Sequence, residues 1–123
     1  MHMRTMLGCF ILAASASAAL AGDVTGEWAR VDGKAKVRFA PCGEAICGTI
    51  TWVKDPSGPA KVGEQVFFDM KPDGENKWAG TAFNPDDSRQ YTGKMTMAGD
   101  ALVTAGCVFG GLICKSVDWR RAH

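Results

Sequence analysis

Hydrophobic and polar positions alternate one by one along most of the chain, and turn residues interrupt this alternation about every eight to twelve residues. In the clearest segment, residues 34–39, Ala35, Val37 and Phe39 share one face and three basic side chains share the other. Short alternating segments between frequent turns predict the β-strands of a sandwich or barrel. Outside the N-terminus no stretch sustains the apolar period of about 3.6 residues that is typical of a helix.

We predict eight strands, separated by turn signals such as Asp32-Gly33 and Gly110-Gly111. The expected strand ranges are about 26–31, 34–40, 47–54, 64–70, 77–83, 89–97, 101–109 and 112–120. Closing such a meander into a barrel removes its two bare edges. The expected fold is therefore all-β, an eight-stranded antiparallel up-and-down barrel whose interior holds side chains or one small ligand.

The first 21 residues predict a signal peptide that is cleaved on export. Arg4 precedes an apolar run, and Ala19 and Ala21 place small side chains where signal peptidase requires them. Cleavage after Ala21 leaves one domain, residues 22–123, in the periplasm or outside the cell. We expect no membrane span in the mature chain, because the apolar run is short and ends in small residues.

Loss of this signal changes the charge balance and the cysteine count. Arg4 is the only one of the 14 Lys and Arg residues to be removed, so the remaining basic side chains equal the 13 acidic ones in number. A neutral domain argues against a nucleic-acid partner, which requires an excess of positive charge. Four of the five cysteines remain, and in an exported domain an even number predicts disulfides.

The four cysteines permit three pairings, among which the sequence alone does not decide. We favour Cys42–Cys47 and Cys107–Cys114, because each pair brackets a predicted hairpin turn. A zinc site built from all four thiols is the alternative, but the spacings are wide for zinc and an oxidising compartment favours disulfides. We therefore expect no metal and no cofactor.

Two short segments resemble the lipocalin and calycin superfamily. Gly26-Glu27-Trp28 opens the first predicted strand, and Trp119-Arg120-Arg121 ends the last. In that superfamily a G-x-W tryptophan packs at the closed end of the barrel beneath a basic side chain that follows the last strand. The resemblance implies a structural role for Trp28 as a plug, with the cation of Arg120, or of the adjacent Arg121, over its ring.

A second resemblance covers nearly all of residues 26–120. The chain is similar to a widespread family of small secreted bacterial proteins classed as a domain of unknown function. The segments that carry the similarity are Pro41–Trp52, Trp78-Ala79-Gly80, Asn84-Pro85-Asp86, Tyr91, Gly106-Cys107, Cys114 and Trp119. The resemblance implies a lipocalin-like barrel outside the cytoplasm, and it assigns no active residues.

No catalytic motif stands out in the sequence. The only histidine after the signal is His123, the last residue, so a Ser-His-Asp triad is excluded. Thiol exchange favours a Cys-x-x-Cys motif at a helix N-terminus, which the chain lacks. Asp86 and Asp87 are adjacent and follow a proline, which is typical of a solvated turn. We expect a protein that is not an enzyme, and an enzyme without a recognisable motif is kept as an alternative.

The favoured function is binding of a small apolar molecule, or of an envelope component, in the periplasm. Alternation predicts that a set of aromatic and methionine side chains faces inward, where they either fill the barrel or line a pocket. This set is Phe39, Trp52, Phe68, Trp78, Tyr91, Met95 and Met97. The candidate ligand-binding residues among them are Trp52, Phe68, Trp78 and Tyr91.

A protein-interaction module is the main alternative, for example an inhibitor of a cell-wall-degrading enzyme. Its docking element would be the loop that carries Glu44 or the turn that carries Asp86 and Asp87. The basic stripe of Lys34, Lys36 and Arg38 is either a solvated strand face or a contact for an anionic surface.

Overall fold

Eight β-strands follow one another along residues 23–123, the part of the chain that the computed structural model describes. They are β1 (Gly26–Arg30), β2 (Ala35–Cys42), β3 (Ala45–Val53), β4 (Gln65–Pro72), β5 (Lys77–Asn84), β6 (Arg89–Ala98), β7 (Ala101–Val108) and β8 (Ile113–Arg121). Every predicted strand is present, with bounds within two residues of those expected from the alternation. The predicted signal peptide, residues 1–21, lies outside the described residues.

Each strand pairs in antiparallel fashion with the next, and β8 pairs with β1, so the sheet closes into a barrel. The predicted fold class is confirmed. The seam between β1 and β8 is short: its three pairs are Trp28↔Arg121, Ala29↔Arg120 and Arg30↔Trp119. By comparison, β5 and β6 are paired at eight positions.

The connections alternate between the two ends of the barrel. We name the closed end by its turns at residues 43–44, 73–76 and 99–100, which lie with the chain segments before β1 and after β8. The open end carries the connections at residues 31–34, 54–64, 85–88 and 109–112.

The barrel interior is packed with large apolar side chains. Those that are almost completely inaccessible to solvent are Val24, Trp28, Val37, Phe39, Met70, Met95 and Leu102. Trp78 and Met97 are buried as well, as the alternation predicted for both, and for Phe39 and Met95. Thr104 is a polar residue in this interior, and its hydroxyl oxygen accepts a hydrogen bond of 2.9 Å from the ring N–H of Trp119.

A bulge in β3 turns Trp52 outward, so the prediction that this residue faces the interior is wrong. The register between β2 and β3 shifts between Lys36 and Val37, which leaves Thr51 as an extra residue in β3. One extra residue reverses the alternation that follows it. Trp52 is therefore 44% exposed, whereas Val53 is buried. On the outer wall the Lys36 ammonium lies 5.9 Å from the centroid of the Trp52 ring.

A second irregularity exchanges the roles of the two phenylalanines of β4. Phe67 pairs with the core residue Ala82 and is 6% exposed, whereas Phe68 pairs with Thr81 and is half-buried. The prediction that Phe68 is the inward residue is thus wrong. The ring of Phe67 packs against Phe39, with centroids 5.3 Å apart.

Glycine allows β5 to approach the irregular part of β4. The register between these strands shifts between Phe68 and Lys71, and Gly80 lies opposite the shift. A Cβ atom at Gly80 would lie 2.5 Å from the carbonyl oxygen of Asp69, closer than side-chain carbons approach backbone oxygens. A residue with a side chain at this position would therefore push the two strands apart.

Candidate functional site

Trp28 seals the closed end. Its side chain is fully buried, and its ring N–H donates a 2.9 Å hydrogen bond to the carbonyl of Val24, which lies before β1. The Arg121 guanidinium lies 4.3 Å from the centroid of the Trp28 ring. Arg121 also donates hydrogen bonds to the carbonyl oxygens of Thr25, at 3.0 Å, and Asp23, at 2.9 Å.

The cation over Trp28 therefore belongs to Arg121, and the assignment of this role to Arg120 is wrong. Side chains alternate along β8, so Trp119 and Arg121 share the inner face while Arg120 points to solvent. The predicted end of β8 at residue 120 left Arg121 outside the strand, whereas β8 runs to Arg121.

At the open end the inner face of β8 becomes progressively accessible to water. Trp119 is buried, Val117 on the same face is half-buried, and Lys115 and Ile113 are exposed, Ile113 by 59%. Arg30 stands above the buried tryptophan, with its guanidinium carbon 5.9 Å from the ring centroid of Trp119. The inner face of β8 is therefore shielded from water at Trp119 and accessible to water at the edge of the open end, which we call the rim.

A depression of about 240 Å³ opens at this rim, between the β1–β2 turn and β8. Its lining combines apolar, polar and charged side chains: Arg30, Val31, Asp32, Ser116, Val117 and Asp118. Arg30 holds Asp32 through two hydrogen bonds, of 3.1 and 2.8 Å. The Arg30 hydrogen bond keeps the pKa of the Asp32 carboxyl below its ordinary value.

Tyr91 lies on another part of the open end, at the start of β6. Its hydroxyl donates a short hydrogen bond to the carboxylate of Asp87 in the β5–β6 turn. This bond lowers the pKa of Asp87 and raises the pKa of Tyr91. The Tyr91 side chain also covers Gly106, where a Cβ atom would lie 3.3 Å from the tyrosine Cβ.

The four aromatic residues predicted to bind a ligand do not form one site. Trp52 lies on the outer wall, Phe68 is half-buried, and Tyr91 lies at the open end. Trp78 is 7% exposed and pairs with Pro72 next to the β4–β5 turn, which places it at the closed end. Arg30 and Val117 were not predicted as residues of the rim, although the alternation of Val117 with Trp119 along β8 was a usable signal.

The predicted docking residues are also divided between the two ends. Glu44 is exposed in the β2–β3 turn of the closed end, while Asp86 and Asp87 are exposed at the open end. The aspartate turn has the capped geometry expected of a solvated turn: the backbone N–H of Asp86 donates to the Asn84 side chain, and that of Arg89 donates to Asp87. One surface cannot include both docking elements.

The cysteines form two disulfides, one near each end. Cys42 is bonded to Cys47 across the β2–β3 turn, and Cys107 is bonded to Cys114 across the β7–β8 hairpin. These are the pairings that the hairpin turns favoured. All four thiols are thus used in cross-links that fix the two hairpins.

Exposed apolar side chains gather on the connections of the open end. Those that are at least half exposed are Val31, Val62, Phe109, Leu112 and Ile113. Three of them belong to the tip of the β7–β8 hairpin, just beyond the disulfide, and Leu112 is 85% exposed. Within residues 23–123 no helix has the length and apolar character needed to cross a membrane.

Comparison with known proteins agrees with this architecture. A Helicobacter pylori protein, HP1028, whose structure is described as belonging to the lipocalin family, superposes with a TM-score of 0.65 at 17% sequence identity. The match covers 82% of this chain and 84% of that chain, and at this identity it shows a shared lipocalin-like fold. A search of curated proteins gives no significant match. The model of the DUF2147 family, described as an uncharacterized protein conserved in bacteria, matches residues 26–121, the whole barrel from β1 to β8. The chain therefore belongs to the DUF2147 family, as the cysteine and tryptophan segments indicated.

Proposed function

We propose that this protein is an exported, non-enzymatic binding protein that holds a small apolar molecule at the open end of its barrel. The observation that carries the proposal is the difference between the two ends. Trp28 and Arg121 close one end, whereas the inner face of β8 at the other end leads from buried Trp119 to exposed Ile113. A lipocalin-like barrel with one sealed end and one accessible end is a common support for ligand binding.

The rim suggests how such a ligand would lie. In the depression its apolar body would contact Val31 and Val117, and a polar group would remain near Arg30. Lys115 and Ile113 lie farther along the same inner face of β8. The two disulfides are compatible with export, which the N-terminal sequence predicts. Nothing in this binding mode requires a catalytic group.

The first test is native mass spectrometry of the protein purified from the periplasm of the bacterium that makes it. The denatured mass should correspond to cleavage after Ala21 with two disulfides. Extra mass that is present in the native state and released by unfolding would identify a ligand. A native protein without extra mass would turn the search to protein partners at Glu44 or at Asp86 and Asp87.

The second test uses an apolar dye whose fluorescence rises on leaving water. Val117→Trp fills the rim, and we expect it to abolish dye binding. Val103→Trp is the matched control, because Val103 is 40% exposed on the outer face of β7, opposite Asp118. Equal dye binding by Val117→Trp and Val103→Trp would rule out a site at the open end. So would dye binding by the unfolded protein that equals dye binding by the native protein.

A further inference from the structure

β8 extends well beyond the strand that should cover it. The last β1–β8 pair is Arg30↔Trp119, and a single further hydrogen bond runs from the Val31 N–H to the Asp118 carbonyl. Residues 113–117 of β8 pair with β7 on one side, but among the described residues no strand pairs with their other side. The barrel therefore keeps one bare edge, five residues long, directly above the β1–β2 turn.

The direction of the free backbone groups on this edge follows from the hydrogen bonds nearby. The carbonyl of Asp118 faces β1, and the N–H of Arg121 faces the β7 side, where it donates to Asp100. Because these directions alternate along a strand, the N–H and C=O groups of Cys114 and Ser116 face the bare edge. Four main-chain groups are thus available for pairing with another strand.

Such an edge is a template for a further strand, and folded proteins usually cover or block it. Here the side chains beside it are apolar and exposed: Phe109 by 73%, Leu112 by 85%, Ile113 by 59% and Val31 by 61%. The Cys107–Cys114 disulfide holds the hairpin in its extended form, so little conformational entropy is lost when another strand is added.

We infer that the bare edge of β8 pairs with the same edge of a second copy, in a symmetric antiparallel dimer centred on Lys115. In this register the free groups of Cys114 meet those of Ser116 in the other copy, which gives four main-chain hydrogen bonds across the two-fold axis. Ile113 lies opposite Val117 of the second copy, so an apolar pair forms on each side of the axis. Because a strand on this edge also covers the depression beside Val117, the dimer and a ligand at the rim exclude each other. The register uses the five uncovered residues, 113–117, and no others.

The hairpin tip completes the contact. Beyond Ile113 each tip reaches the β1–β2 turn of the other copy, where Leu112 meets the exposed Val31. One feature limits the strength of the dimer: the two Lys115 side chains lie opposite each other, and like charges in that position are destabilising. The dimer is therefore weak and depends on protein concentration.

The test is the molar mass of the mature protein in solution, measured by sedimentation from low micromolar to near-millimolar concentration. Ser116→Pro removes an N–H group that faces the bare edge and leaves the β7–β8 hydrogen bonds in place, so we expect a monomer. Ser116→Ala keeps the N–H group and is the matched control that should dimerise like the wild type. Leu112→Asp, at an 85% exposed position, should also give a monomer and does not depend on how proline is tolerated.

Lys115→Gln should strengthen the dimer rather than weaken it. Removal of the two facing charges should tighten the dimer about two- to fivefold, and added salt should tighten the wild type but not this variant. A wild-type protein that stays monomeric at every concentration would overturn the inference. So would a Ser116→Pro or Leu112→Asp variant that dimerises as well as Ser116→Ala.

Discussion

Replacement of Arg121 by alanine should strongly destabilise the barrel, although the residue lies at the end of the last strand. The guanidinium is 4.3 Å from the ring centroid of Trp28, and 23% of the Arg121 side chain is exposed. A cation over an aromatic ring in a largely dry site contributes up to about 2 kcal/mol. The charged hydrogen bond to the part-buried Thr25 carbonyl contributes about 1.5–3 kcal/mol more.

These contributions give an expected loss of about 3 kcal/mol in the free energy of unfolding. The bond to the Asp23 carbonyl is left out of this value, because that residue is exposed and water replaces the donor. In a domain of about 100 residues, a loss of this size lowers Tm by about 12–24 °C. Arg121→Lys should lie between alanine and the wild type, because an ammonium keeps the charge but not the planar fork.

The assay is denaturant unfolding followed by tryptophan fluorescence, with both disulfides intact. Arg120→Ala is the matched control: the neighbouring arginine is exposed on the outer face, and its loss should change stability by no more than about 0.5 kcal/mol. A loss below about 1 kcal/mol for Arg121→Ala, or equal losses for the two variants, would refute the assignment of the stabilising contact with Trp28 to Arg121.

Three further predictions concern other parts of the barrel. Replacing both Cys107 and Cys114 by alanine should lower the free energy of unfolding by about 2.5 kcal/mol, and replacing both Cys42 and Cys47 should lower it by about 2 kcal/mol. Both losses are modest because the closed loops are short, and denaturant midpoints that do not move would contradict them. Gly80→Ala should cost about 3 kcal/mol in the same assay, because the new Cβ atom meets the Asp69 carbonyl. Gly58→Ala is the control, because its Cβ atom would lie 3.4 Å from its nearest neighbour. Tyr91 is the only tyrosine, so an ultraviolet absorbance titration reports its pKa directly, and the midpoint should lie above the ordinary value of 10.0 because of the hydrogen bond to Asp87. A raised folded pKa means that this contact stabilises the fold below pH about 10 and is lost as the pH rises through the raised pKa; the lowered pKa of Asp87 means that it is lost at the acid end as well. Asp87→Asn should move the tyrosine midpoint down and Asp86→Asn should not, and equal midpoints would contradict the assignment.

The strand pattern was predictable because each strand has one buried and one solvated face. In β6, for example, Met95 and Met97 alternate with exposed Lys94 and Thr96, so the sequence reports the burial directly. The turn signals Asp32-Gly33 and Gly110-Gly111 fixed the hairpins in the same way, since they depend on local backbone geometry. Strand order then followed from the short connections.

The bulges were not predictable, and the errors at the candidate site follow from them. Thr51 is an ordinary strand residue, and nothing local marks it as the extra residue that turns Trp52 outward. In β4, Phe67 and Phe68 are equal in hydrophobicity, and only the pairing with β5 decides which of them packs on Phe39. A strand register depends on the partner strand, so one shift moves every later side chain to the other face.

The short length of β1 connects the closed end with the open end. β1 has five residues and β8 has nine, so β1 covers β8 only near the closed end. Three residue pairs form a weak seam, and Arg121 reinforces it there by joining the end of β8 to Trp28 and to the carbonyls that precede β1. At the other end the same shortness leaves residues 113–117 bare and opens the depression between Val31 and Val117. A β1 strand extended along β8 would seal the barrel and remove both the proposed rim site and the pairing edge. The contacts of Arg121 therefore allow a barrel with a short first strand to stay closed, and the short first strand provides the accessible end on which the proposed binding depends.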